Sequence, residues 1–213
     1  MLGVLYFKKF RERTIFMVKK ISAFIIILIG LANALHAQNF RHSAGASAAT
    51  MWATLFGPQK QGPFSLQTVY ITYFPRINFP IMDGSSISAG VPISVGMGTM
   101  NNSMFNARGS AFSYDVPFVL DYNNGFKTGE PGDDLFGFYF GVGIGYTSTK
   151  FDSLGITTAS PKDVSFLIRG GARFGFFQVN DELHHGITIG LFHKAGLSID
   201  RFKTVGVNLL FDF

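Results

Sequence analysis

The chain has 213 residues, 47% of them apolar and only 15% charged, with 25 Phe, 25 Gly and no Cys. That much apolar content excludes a disordered chain, the missing cysteines exclude a disulfide scaffold or a thiolate metal site, and the length allows one domain or two small ones. The formal net charge of +5 sits at the N-terminus, where residues 1–37 hold Lys8, Lys9, Arg11, Arg13, Lys19 and Lys20 against Glu12; the remainder balances, which leaves no basic footprint for nucleic acid.

In chain order, residues 1–16 read as a non-functional extension ahead of a true start at Met17. Residues 17–37 have the anatomy of a signal peptide: a basic Met17-Val-Lys-Lys, an apolar core from Ile21 to Leu35, and a small residue at Ala37. That core is short of the roughly 20 apolar residues a spanning helix needs. No cysteine follows it, which excludes a lipoprotein anchor. Residues 38–213 then form one domain with no linker.

Within that domain the pattern has period two. Two weaker strands come first, one in 42–57 and one over Leu66–Arg76. Six strong ones follow, with Ile87, Ala89, Val91, Ile93, Val95 and Met97 facing one way in the first and Phe112, Tyr114, Val116, Phe118, Leu120 and Tyr122 in the second. Phe136, Phe138, Phe140, Val142, Ile144 and Tyr146 alternate with Gly137, Tyr139, Gly141, Gly143 and Gly145. A helix would scatter these rings around its axis and carry four glycines; a strand sorts them onto opposite faces. Strands over 166–176, 187–199 and 204–213 complete a set of eight. Pro92 and Pro117 fall inside strands, where each predicts a bulge or a missing ladder bond.

The large phase of the six strong strands carries no charge, while the small phase carries Asp115, Asp121, Arg169, Arg173, Lys194 and Asp212. In a soluble sandwich or lipocalin-like carrier barrel the small phase would face water, and Gly and Ser make a thin water-facing surface. Facing lipid, the large phase fits, because a charge near the bilayer midplane costs roughly 2–4 kcal/mol. Eight strands enclose a lumen just wide enough for side chains, so small residues there answer a space requirement. The fold predicted is all-β, an eight-stranded antiparallel up-and-down transmembrane β-barrel. With both termini on the periplasmic side, 98–110 and 150–164 are outer loops and 123–135 is a long inner turn.

On these features residues 38–213 resemble the small Gram-negative outer-membrane β-barrels, the porin-like group with OmpA-type and OmpX-type members. The carrying residues are the signal peptide, hairpin sequences such as Gly137 to Tyr146, and the ending Val207-Asn-Leu-Leu-Phe-Asp-Phe213. In that group a terminal aromatic with apolar residues at alternate positions is the assembly signal, which the resemblance carries onto Val207, Leu209, Phe211 and Phe213. It implies an exported outer-membrane location, with membrane lipid and the outer-membrane assembly machinery as partners, and fixes location better than role; the residues themselves predict no nucleic-acid partner, no cofactor and no enzymatic activity. Oligomeric state is left open.

Candidate sites are few. Arg169 and Arg173 lie four apart on the inward phase and are expected to pair with Asp115 and Asp121 across a glycine strip, because buried charges need partners. With Lys194 they form a lumenal charge cluster, read as a structural plug rather than a selective pore. His184-His185 read as a polar turn, His193 as a lipid-facing interface residue, and Asp133-Asp134 with Asn123-Asn124 as a turn or a weak cation site. Tyr70, Tyr73, Tyr122, Tyr146 and Trp52 are candidates for interfacial girdles. No Ser/His/acid set stands out. The predicted role is structural or surface-interacting, with a narrow channel, a lipid-acting enzyme and a soluble carrier as alternatives.

Overall fold

The computed structural model describes residues 40–54, 63–102, 107–126, 128, 134–152, 162–179, 182–197 and 202–213. The signal peptide, the 1–16 extension, Asp133 and the side chain of His184 lie outside the described residues. Among the described residues nine strands form: β1 (Phe40–Thr54), β2 (Pro63–Met82), β3 (Ser85–Gly90), β4 (Ile93–Asn102), β5 (Ala107–Gly125), β6 (Phe136–Asp152), β7 (Lys162–Val179), β8 (Glu182–Gly196) and β9 (Lys203–Asp212).

Every pairing is antiparallel between ring neighbours, and β1 pairs with both β2 and β9, so the sheet closes. β3 and β4 are one ring position. Both pair with β2 in a single register, Arg76 opposite Gly90 and Tyr73 opposite Ile93. The ring therefore has eight members and no free edge, which satisfies backbone pairing in hydrocarbon. Stepping through paired neighbours from Lys203 by Ala195, Phe166, Ile144, Phe118, Val91, Pro75 and His42 ends at Phe213, ten positions farther along the starting strand. That stagger sets the strand tilt.

The β3/β4 break has a local cause. Gly90 opposite Val119 and Ser94 opposite Asp115 share one register, which puts Pro92 directly across from Pro117. Val91 N donates to Pro75 O at 3.1 Å, so the backbone of the next residue, Pro92, turns towards β5. Both donors missing from this ladder thus belong to one rung. No bulge is needed, and β5 runs straight through Pro117.

Side-chain polarity is inverted relative to a soluble barrel. Ile71, Met97, Val69, Phe140, Ile144 and Leu191 are exposed, Ile71 by 80% and Met97 by 74%, while Arg76, Arg173, Asp121 and Asp212 are buried. Phe138, Phe118 and Ile189 all stand outward. A transmembrane β-barrel is the arrangement in which this sorting is favourable. Trp52, Tyr73 and Tyr122 are outward, but Tyr70 is not: it is buried inside and donates to Ser113 Oγ at 3.3 Å. Its strand mixes Thr, Tyr and Phe on the inward phase, which hides the alternation.

The connections also differ from expectation. Strand structure runs to Asn102 and resumes at Ala107, and runs to Asp152 before resuming at Lys162, so most of 98–110 is ladder rather than loop. On the terminal rim, the one carrying both chain ends, Phe126 and Thr128 are tucked in against the barrel. Phe126 is 2% exposed, and Asn78 Nδ2 donates to Thr128 O at 3.4 Å.

Candidate functional site in the lumen

Strand β5 serves as a ruler through the interior. From the rim opposite the termini inward it presents Ala111, Ser113, Asp115, Pro117, Val119, Asp121 and Asn123. Each meets a different layer.

Ala111 joins Met51, Leu66 and Phe202, packed by Met100, in an apolar layer that closes the opposite mouth. Below it Asp115 pairs with Lys194 Nζ and accepts from Thr147 Oγ1 at 2.7 Å. The Asp115 partner is thus a lysine from β8 and not an arginine of β7, because Lys194 lies at its level whereas Arg169 and Arg173 lie nearer the termini. Beside this pair is a cavity of about 50 Å³, lined by Tyr70, Thr72, Pro92, Ser94, Pro117 and Phe192 among others. That is room for a few waters. Val119 then packs with Phe74, Leu167 and Leu210, and with Phe192, in a second apolar layer.

Asp121 begins the largest polar layer. Its carboxylate lies 3.4 Å from Arg169 Nε. Between the two strands stands Gly141, opposite both Asp121 and Arg169; a Cβ there would come 1.9 Å from Asp121 Oδ1. Arg169 also lies over the rings of Phe74 at 4.7 Å and Tyr139 at 4.8 Å. Arg76 lies over the Phe74 ring at 5.3 Å, and Arg173 over Tyr139 at 4.8 Å. The lumen is therefore crossed by an alternating series, Arg76, Phe74, Arg169, Tyr139, Arg173, in which ring faces separate three like charges.

Asp212 anchors one end of that series. It accepts from Ser43 Oγ at 2.5 Å, from Arg76 Nη2 at 2.9 Å and from Thr188 Oγ1. Arg76 Nη1 also donates to Ser43 Oγ at 2.9 Å. Arg173 is fully buried and makes no hydrogen bond to a described residue, held instead by the Tyr139 ring and the charges of Asp212 and Asp121.

Asn123 donates to Ser86 Oγ at 3.3 Å and Ser88 Oγ at 3.1 Å, and Asn124 to Ser85 Oγ at 2.9 Å. Both asparagines are used in strand–strand contacts rather than turned to a cation with Asp134, and no metal-binding group of acids and histidines occurs among the described residues. Phe126 closes the terminal mouth, its ring filling the space that Gly186 leaves; a Cβ there would come 2.3 Å from Cε1. His185 stacks on Phe211 at 5.5 Å, and Phe213 lies 4.4 Å from His42, all on the outer wall at the terminal rim. His193 is half-buried on the outward phase of β8. Val207, Leu209 and Phe211 on β9, with Phe213 just beyond it, form an exposed apolar row.

Sequence reasoning missed Arg76, Phe74, Tyr139, Phe126 and Phe202. Tyr139 was the findable one, a bulky ring among glycines on the inward phase.

No protein-family model and no curated protein matches this chain. Among solved structures it is similar to Neisserial surface protein A, at 12% identity over 82% of this chain and 96% of that one, with a TM-score of 0.47. It is also similar to the attachment invasion locus protein Ail of Yersinia pestis, at 13% identity over 82% of this chain and 97% of that one, with a TM-score of 0.44.

Proposed function

We propose that this chain is an integral outer-membrane β-barrel protein with a side-chain-filled lumen, whose role is structural or surface-interacting and not enzymatic. The observation that carries the reading is the inverted polarity: exposed Ile71, Met97 and Phe140 outside, fully buried Arg173, Asp121 and Asp212 inside. Hydrocarbon makes that sorting favourable on both faces of the wall at once. Residues 17–37 serve as the export signal, and the outward row Val207, Leu209, Phe211, Phe213 as the segment offered to the assembly machinery.

Layering supports a plug over a pore. Two apolar layers and the Phe126 stopper interrupt the polar column, and each is a barrier to a hydrated ion. Two measurements test the reading. The full-length protein fractionates with the outer membrane and shows heat-modifiable gel mobility, and refolded protein in a planar bilayer stays electrically silent. Recovery in the aqueous phase of a detergent extraction would sink the membrane assignment. Reproducible conductance, altered in Arg169→Ala, would replace the plug with a narrow channel.

A further inference from the structure

We propose that the rim opposite the termini carries a binding site for the phosphate of a lipid headgroup, built on the outside of β5–β7 by Lys150, Lys162, Tyr114 and Tyr146. The inference rests on the membrane-barrel reading and says what the barrel recognises there.

Register brings these residues together. Tyr114 stands opposite Ser148, and Ser148 opposite Lys162, in one outward-facing rung across three strands. Lys150, opposite Phe112, is one outward rung nearer the rim, and Tyr146 one rung deeper. The rings of Tyr114 and Tyr146 lie 6.1 Å apart at 43°. The Tyr114 hydroxyl lies beside those of Ser148 and Tyr146 and within the electrostatic reach of both lysines. Both ammonium groups are exposed, and no described carboxylate pairs with either. Two cations and two phenol hydroxyls thus stand on neighbouring rungs, with the buried Ser148 behind them, and together they offer the donors a phosphate needs.

The rungs beneath identify the phosphate as a lipid's. Val116, Tyr146 and Val164 make the next rung, and Phe118, Ile144 and Phe166 the one below it, most of them exposed apolar side chains. Polarity therefore falls from ammonium through phenol to hydrocarbon over four rungs, the profile of an amphiphile lying against the wall. A free phosphate would have no use for that gradient.

Charge on the two rims agrees. The exposed charged residues among those described are Lys150, Lys162 and Lys203 at the opposite rim, and Asp83 and Asp134 at the terminal rim. Lys203 pairs across the ladder with exposed Trp52, a second cation–aromatic neighbour at the same rim.

The test uses full-length refolded protein in bilayer discs of mixed phosphatidylglycerol and phosphatidylcholine, with co-purifying lipid counted by native mass spectrometry. Wild type should enrich the anionic lipid by roughly five-fold for each lysine. The Lys150→Gln/Lys162→Gln variant should lose that enrichment while keeping its heat-modifiable mobility, and millimolar inorganic phosphate should leave it intact. Equal enrichment in wild type and variant, or full displacement by inorganic phosphate, would overturn the proposal. Entry into pure phosphatidylcholine discs with no anionic preference in mixed ones would overturn it alone. Failure to enter any disc would overturn the membrane reading together with it.

Discussion

The lumen holds charge at two levels that solve the same problem differently. Near the opposite rim, Lys194 and Asp115 form one pair with a hydroxyl donor and an adjoining cavity. Nearer the termini, three arginines and two aspartates are packed with two rings. The first level can exchange a lost partner for water. The second sets each guanidinium against a ring face, and its Asp212 carboxylate is shared by Arg76, Ser43 and Thr188, so the loss of that one acceptor strands several donors at once. What differs is therefore not the strength of one ion pair but the number of groups stranded when a partner is removed.

Substitutions at the two levels should separate accordingly, read as shifts in the urea midpoint of the refolded barrel. Asp212→Ala should have the largest effect, a loss of about 3–5 kcal/mol, since it leaves Arg76 uncompensated and Ser43 and Thr188 without their acceptor. An effect no larger than that of the Asp115 change below would break the distinction. Gly141→Val should cost about 1–3 kcal/mol by overpacking, because its side chain would overlap Asp121 Oδ1 and Leu120 O; a neutral result would mean that the terminal level is loosely packed. Asp115→Asn should be mildest, about 1 kcal/mol, with the cavity able to admit water beside Lys194. A loss equal to that of Asp212→Ala would show the two levels to be equally rigid.

These levels were unequally visible in the sequence. The inward phase of Asp115, Asp121, Arg169, Arg173 and Lys194 follows from period two alone, since a strand sends alternate side chains to opposite faces. Which carboxylate meets which cation does not follow from it, because partners are set by the ring stagger, and a local pattern contains no stagger. Arg76 meets Asp212 only because β1 closes on both β2 and β9. Arg76 and Phe74 were further masked by a strand in which Thr, Tyr and Phe share the inward face. Phe126 and Phe202 lie outside the strands, where side-chain period has no meaning. The wall itself was legible throughout the six strong strands, and the Pro92 defect was legible as a defect. That it coincides with Pro117 required the register.

That coincidence has a consequence for how the interior is sealed. Pro92 and Pro117 both line the void beside Lys194, and no ladder hydrogen bond joins them. At that level the partition between void and acyl chains is held shut by the fit of two pyrrolidine rings rather than by backbone pairing. Along the axis the stoppers are Phe202 and Phe126. Among the described residues these seals, flank and ends alike, are non-ionisable, so protonation events among the enclosed acids and bases have no direct handle on them.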